Sequence, residues 1–187
     1  MTKPSSHPPE HSSLRKPRRV VLIGFMGAGK TTVGALAAKQ LGWRFFDADD
    51  RIEAIAGKPI HAIFSEEGEA AFRQLEFKAI ASLLQEEDAV IAVGGGAIEH
   101  EPTRNLMLTS AKTEDSATLL VHLHVTLAGT LARCEGTGGL RPVFADRAGL
   151  AARYERRHPW YQQAQLTLDT ENTTPEEVAQ RLAEHLR

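Results

Sequence analysis

One cysteine, Cys134, is the only sulfhydryl in this chain of 187 residues. It cannot close an intramolecular disulfide, which excludes a disulfide-stapled secreted scaffold and fits a reducing compartment. No apolar stretch approaches the roughly 18 residues of a membrane span, and the N-terminal segment lacks the apolar centre of a secretory signal. No membrane partner is expected, and the cytoplasm is the expected compartment. Net charge is lacking as well. At −2 with histidines neutral, the chain has no overall basic field of the kind that draws a protein onto nucleic acid, so no nucleic-acid partner is expected. The one basic cluster, "RKPRR" at Arg15–Arg19, reads as a solvated leader or as a short nucleic-acid tail, and a leader is the ordinary outcome for a single short run. Internal repeats and an interdomain linker are also missing.

With 42% hydrophobic and 25% charged residues, the composition is that of an ordinary globular chain, long enough for one well-buried domain. Residues 1–18, rich in Pro, Ser and His and nearly free of apolar side chains, are expected to form a disordered leader. From Arg19 onward, short apolar runs alternate with longer amphipathic ones, the pattern of a parallel sheet with crossover helices. Strands are expected at "RVVLIG", "RFFDAD", "AVIAVGGG", "TLLVHLHV" and "LTLDT". Helices are expected at Lys30–Leu41, stopped by Gly42, at Glu69–Gln85, and from Pro102 to Leu108. A last helix falls in "TTPEEVAQRLAEHLR", capped by Thr173 or Thr174 with Pro175 in its first turn. Gly136–Gly149 is glycine-rich, carries two arginines and lacks apolar periodicity, which reads as a mobile loop.

The stretch "GFMGAGKTTVG" satisfies G-x-x-x-x-G-K-[ST] through Gly24, Gly29, Lys30 and Thr31, and it lies between an expected strand and an expected helix as that motif requires. Backbone N–H groups of Gly27, Ala28, Gly29 and Thr32 can curl around phosphate oxygens, and the helix N-terminus adds its positive end. Lys30 is expected to reach the terminal phosphates, and the Thr31 hydroxyl would be offered to magnesium. A glycine-rich connector is the competing account; the strand and helix on either side favour the phosphates of a nucleoside triphosphate.

Other residues must decide what happens to that phosphate. Asp47 and Asp49 form D-x-D at the end of the second expected strand; alternation would point both side chains the same way, toward metal-bound water and an acceptor hydroxyl. Alternatively, either one caps the helix in "DDRIEAIAG", and spacing alone does not choose. In "FRQLE", Arg73 and Glu76 are placed to pair on a helix, which on its own is an ordinary surface ion pair. Gly94–Gly96 close a buried strand, where ligands gather in open α/β sheets and where missing side chains let backbone approach a substrate.

The motifs "GFMGAGKTT", "FFDADDRIE", "IFSEEGEAAFRQLE", "VGGGA", "LRPVF" and "RHPWY", in this order and spacing, resemble those of the shikimate kinases, members of the P-loop kinases that also include the nucleoside monophosphate kinases. The resemblance runs from about Arg19 to the C-terminus. It implies one P-loop kinase domain over residues 19–187, a three-layer α/β/α fold with a five-stranded parallel sheet in the order 2-3-1-4-5, and a lid near residues 135–149. It implies magnesium-dependent transfer of the γ-phosphoryl group of ATP to the 3-hydroxyl of shikimate, on the route to chorismate and the aromatic amino acids, by a monomer. By the same resemblance Asp49 hydrogen-bonds the acceptor hydroxyl, Asp47 reaches magnesium through water, and Arg73 and Arg157 hold the shikimate carboxylate in the bidentate manner open to a guanidinium. Glu76 orients Arg73, and Gly95 offers backbone to the ring hydroxyls. Arg141 matches the lid arginine over the transferring phosphoryl group, and Arg133 the arginine that stacks on adenine beside "ENTTPEE".

Phe64 and Phe72 match family positions beside the substrate, and packing is the equal alternative for both. Trp43, His122 and His124 read as structural, since no third histidine or cysteine completes a zinc set. Two departures stand out: Arg156 occupies a position where the family commonly has glutamate, leaving two adjacent arginines to compete for the carboxylate, and "TSAKTEDSATLL" is longer and more polar than usual. The rival readings are a kinase for another small acid such as gluconate, and a non-catalytic nucleotide-binding module. The paired arginines and triple glycine disfavour the first; Lys30, Asp49 and Arg141 disfavour the second.

Overall fold

The computed structural model describes residues 16–112, 117–135 and 147–187. Its centre is β1, Arg19–Ile23, in which Val20, Val21 and Leu22 are wholly buried. Burial on both faces is what a near-continuous Val/Ile/Leu run requires, because helices cover both sides of a parallel sheet. Ala89–Ala92 (β3) lies beside β1 on one flank and Thr118–His124 (β4) on the other. Arg44–Asp47 (β2) and Leu166–Asp169 (β5) form the two edges. All pairs are parallel, in the order β2-β3-β1-β4-β5. Leu22 and Asp47 are both level with Ala92, so the ends of β1, β2 and β3 reach the same rim.

Helix α1, Lys30–Leu41, starts directly from the loop after β1 and ends at Gly42, whose left-handed φ of 70° lets its N–H turn back onto Ala38 and Lys39. It packs against the C-terminal helix α8, Pro175–Leu186. That helix carries a complete capping box: Thr174 accepts from the Glu177 N–H, and Glu177 accepts from the Thr174 N–H.

Beyond the β2 edge, α2 (Ala48–Ala56), α3 (Ile60–Glu66) and α4 (Gly68–Leu83) pack on one another around a small second core of Ile52, Ile63, Phe72 and Ala79. This cluster suspends residues of α2 and α4 over the sheet rim. Three further helices follow: α5 (Glu101–Lys112), which packs against α4 and β4, α6 (Leu127–Glu135) and α7 (Arg147–Tyr161). Helix α5 outruns the expected Pro102–Leu108 in both directions, whereas α4 ends two residues before Gln85. Arg147–Gly149, grouped by glycine content with a loop, open α7 instead. The other residues of that expected loop, 136–146, and with them Arg141, lie outside the described residues, as do residues 1–15 of the leader.

The basic cluster is drawn into the fold at its C-terminal end. Arg18 bonds the Asp88 carboxylate through Nε (3.1 Å) and Nη2 (2.8 Å), and Arg19 reaches the Glu86 carbonyl and the Thr118 hydroxyl. Those two arginines are therefore committed to the turn before β3.

Candidate active site

The loop between β1 and α1 folds around its glycines. Gly24 has φ 153°, and a Cβ there would stand 2.5 Å from the Leu123 carbonyl oxygen, so any side chain would collide with the backbone of β4. Lys30 Nζ donates to the carbonyls of Gly24 (2.8 Å) and Phe25 (3.1 Å), which holds the ammonium at the mouth of the loop. Enclosure there pulls its pKa down to about 8, against the attraction of Asp49 and Asp47.

Strand β2 stops at Asp47, and Asp49 lies in the first turn of α2. The expected alternation of both carboxylates along one strand is thus corrected: the chain turns helical after Asp47, and it is the N-cap that brings the two groups together. Asp47 takes the capping role weighed for it and also faces Thr31. Oδ1 accepts from the Asp49 N–H at 3.1 Å, capping α2, while Oδ2 accepts from Thr31 Oγ1 at 2.9 Å. A carboxylate and a hydroxyl oxygen side by side at the phosphate loop are hard donors of the kind magnesium takes alongside nucleotide phosphates. Among the described residues no group of three or more His, Cys, Asp or Glu is placed to hold a metal by itself.

Asp49 is pushed above the usual carboxylate range, first by burial and then by Asp47, with Lys30 opposing. Behind it, the Glu76 side chain is 2% exposed and accepts from Arg73 Nη1 at 2.8 Å, and Arg73 Nη2 also reaches Glu69 at 3.2 Å. Burial raises the Glu76 carboxyl despite this partner.

The triple glycine lies between these groups and α7. A Cβ on Gly94 would meet Glu76 Oε1 at 3.3 Å and Asp49 Oδ1 at 3.6 Å. One on Gly96 would meet Arg73 Nη2 at 3.0 Å, Arg73 Nη1 at 3.2 Å and Arg157 Nη2 at 3.5 Å. Absence of a side chain at Gly96 therefore leaves room where two guanidinium groups converge. Arg157 arrives from α7, held by Glu99, and Tyr161 on the next turn of the same helix donates to the Gly95 carbonyl at 2.9 Å. A recess of about 350 Å³ joins Lys30, Thr31, Asp47 and Asp49 to Gly94 and Gly95.

A second recess, about 260 Å³, opens on the other side of the phosphate loop between Gly27, Gly29, Thr32, Arg133, Thr170 and Thr173. Arg133 Nη1 bonds the Gly27 carbonyl (2.8 Å) and Thr170 Oγ1 (3.0 Å), and Nη2 bonds the Thr170 carbonyl. It thereby ties the loop after β5 to the phosphate loop and lines the recess.

Residues expected to be structural behave so. His122 is buried and stacks on Tyr161 with ring centroids 5.0 Å apart, and burial lowers its pKa to about 4. His124 reaches Asp169 at 3.6 Å, and Trp43 packs against the main core. Phe72 belongs to the second core, whereas Phe64, its ring centroid 4.5 Å away and tilted by 30°, is 42% exposed. Two site groups were not singled out from the sequence. Tyr161 stood inside the quoted "RHPWY", so a signal existed; Glu99 follows the triple glycine with nothing in the local pattern to mark it. Among the described residues no helix is long and apolar enough to cross a membrane.

The family model and the curated relatives agree on one family. The sequence model for the family described as Shikimate kinase matches residues 26–187. A shikimate kinase of Salinispora tropica is 43% identical over 166 residues, covering 87% of this chain and 94% of that protein. One from Moorella thermoacetica is 39% identical over 173 residues, 91% of this chain and 95% of that one. Among solved structures, a shikimate kinase from Acinetobacter baumannii in complex with shikimate superposes with a TM-score of 0.77 at 31% identity, covering 90% of this chain and 92% of that one.

Proposed function

The chain belongs to the shikimate kinase family and is an ATP-dependent enzyme that phosphorylates shikimate; we propose that its cleft divides the reaction between a nucleotide half built on Gly24–Thr32 and an acceptor half built on Asp49, Arg73, Gly95 and Arg157. The observation that carries this assignment is the convergence of two guanidinium groups, from α4 and α7, at Gly96 beside a buried carboxylate. Such a gap suits the carboxylate of a small acid, and Asp49 stands beside the triple glycine where a ring hydroxyl of that acid would lie.

The phosphates of ATP rest against the amides of Gly27, Ala28, Gly29, Lys30, Thr31 and Thr32, with Arg133 on the base side. Arg73 and Arg157 clamp the shikimate carboxylate and Gly95 meets the ring hydroxyls, fixing the 3-hydroxyl in line with the γ-phosphorus. Asp49 accepts the hydroxyl proton as the oxygen–phosphorus bond forms, and Lys30 balances charge on the phosphoryl oxygens as the bond to ADP breaks. Thr31 Oγ1 and, through water, Asp47 would hold magnesium, which would supply neutralisation of charge on the terminal phosphates. Arg141, outside the described residues, is assigned only by its place in "LRPVF" to stabilise charge on the transferring group. The same reading makes the cytoplasm the compartment and a monomer the working unit.

Two measurements test this. ADP release from magnesium-ATP is expected to be strongly stimulated by shikimate and not by gluconate or a nucleoside monophosphate; stimulation by gluconate alone, or by no acceptor, would overturn the assignment. In the free protein Lys30 loses its proton near pH 8, and bound phosphates favour the charged form, raising that pKa. Above pH 8, ATP binding is therefore expected to take up a proton and to weaken as pH rises. Titration calorimetry in two buffers of different ionisation enthalpy reads the uptake directly, and a buffer-independent enthalpy above pH 8 would contradict it.

A further inference from the structure

Arg157 has an internal partner before any substrate arrives. Its side chain is 9% exposed, and Nε and Nη2 both bond Glu99 Oε2, at 2.7 and 2.6 Å. The opposite oxygen, Glu99 Oε1, accepts from Arg156 Nε at 2.6 Å, and the Arg156 side chain is 59% exposed. The two adjacent arginines therefore have separate roles. Arg157 turns into the cleft, Arg156 outward, and one carboxylate bridges them.

A guanidinium has a side edge, Nε with Nη2, and an end, Nη1 with Nη2. Glu99 occupies the side edge of Arg157. The end faces the triple glycine, where Nη1 would lie 3.5 Å from a Cβ on Gly95 and Nη2 3.5 Å from one on Gly96. Holding the side edge fixes the plane in which the end can receive a carboxylate. That hold has an electrostatic drawback, since an unbalanced anion so close would weaken any anionic ligand on Arg157. Arg156 supplies the balancing charge.

We propose that Glu99 and Arg156 are positioning residues for the acceptor carboxylate: Glu99 aims Arg157 through its side edge, and Arg156 fixes Glu99 and offsets its charge, so that Arg156 acts on substrate only through Glu99. This rests on the assignment of shikimate to the cleft. Neither residue touches the phosphate loop, so the effect falls on acceptor binding and spares the nucleotide.

The test is a double-mutant cycle of Arg156→Met and Glu99→Gln in the full chain, with Arg156→Lys as the charge-keeping control, assayed on shikimate and on its uncharged methyl ester. Loss of the exposed partner is expected to raise KM for shikimate about three- to fivefold. Loss of the Glu99 charge is expected to raise it about tenfold, and the double variant is expected to match Glu99→Gln because the two act in series. Arg156→Lys should restore KM to near wild type, while kcat, the KM for ATP and the KM for the methyl ester hold nearly constant. Additive effects, an unmoved KM for shikimate, or an equal loss with the ester would each overturn the inference while a normal wild type left the functional assignment standing. Absence of shikimate turnover in the wild type would overturn both. Should Glu99→Gln not fold, the contrast between Arg156→Met and Arg156→Lys, at an exposed position, decides.

Discussion

Asp49→Asn is expected to lower turnover roughly a thousandfold, the scale of losing a positioned general base, while ATP binding stays within a few-fold of wild type. The amide keeps the shape of the carboxylate and can still contact a hydroxyl, but it cannot accept the proton. The same change is expected to stabilise the fold only slightly, because Asp49 is itself solvent-exposed and water screens the repulsion there. The sign follows from the environment. Burial, Asp47, Asp50 and Glu53 all raise the Asp49 pKa, and only Lys30 lowers it. A raised value means that the folded protein holds this proton more tightly than the unfolded chain does, so the ionised carboxylate costs stability at neutral pH and the cost is relieved as pH falls through the folded pKa. Activity runs the other way: the acid limb of kcat/KM should begin at a higher pH than an unperturbed aspartate would give. Thermal denaturation and steady-state kinetics on one preparation check both signs. Near-normal turnover would remove Asp49 from the chemistry, and a marked loss of Tm would mean that its charge is compensated in the fold.

Arg73→Ala is expected to raise the KM for shikimate on the order of a hundredfold, as for loss of a charged, bidentate contact, with the KM for ATP nearly unchanged. This variant also strands Glu76, whose side chain is 2% exposed and whose partner Arg73 is bonded at 2.8 Å. Removing one member of such a pair costs about 3–5 kcal/mol, partly recovered because the already raised Glu76 carboxyl can take up a proton. Arg73→Lys separates the two effects. It keeps a cation beside Glu76 and so preserves much of the stability, but its single ammonium cannot serve Glu76 and a substrate carboxylate with the geometry of a planar fork. A KM that recovers fully in the lysine variant would show that charge alone suffices there; a KM for ATP that rises instead would remove Arg73 from the carboxylate site.

Much of the site was legible because its parts are contiguous. Gly24–Thr32 reads as a phosphate loop from spacing between a strand and a helix, and the strands from apolar runs bounded by glycine and aspartate. The final helix could be read from Thr174, Pro175 and its early acids. Helices α3, α6 and α7 were not expected. The first spans seven residues, too short for periodicity to show, and α7, "RAGLAARYERRHPWY", offers few apolar positions and a proline at 159. Asp49 was assigned to a strand because D-x-D continues the alternation of "RFFDAD"; the capping bond from its N–H to Asp47, a competitor noted in the sequence, prevailed.

By itself the sequence determined what local chemistry determines: a parallel α/β sheet, a nucleotide loop that only glycine can line at Gly24, and a set of charged residues whose motifs name a family. Tertiary structure decided which of those charges face one another. Glu99 and Arg157 are 58 residues apart, and nothing in either neighbourhood marks a pair. They meet because β3 ends level with β1, turning Gly94–Glu99 across the rim toward which α7 descends. The choice between Arg156 and Arg157 was open in the sequence for the same reason. Adjacent residues on a helix point about 100° apart, and only the position of α7 against the triple glycine sends one guanidinium into the cleft and the other to its outer wall.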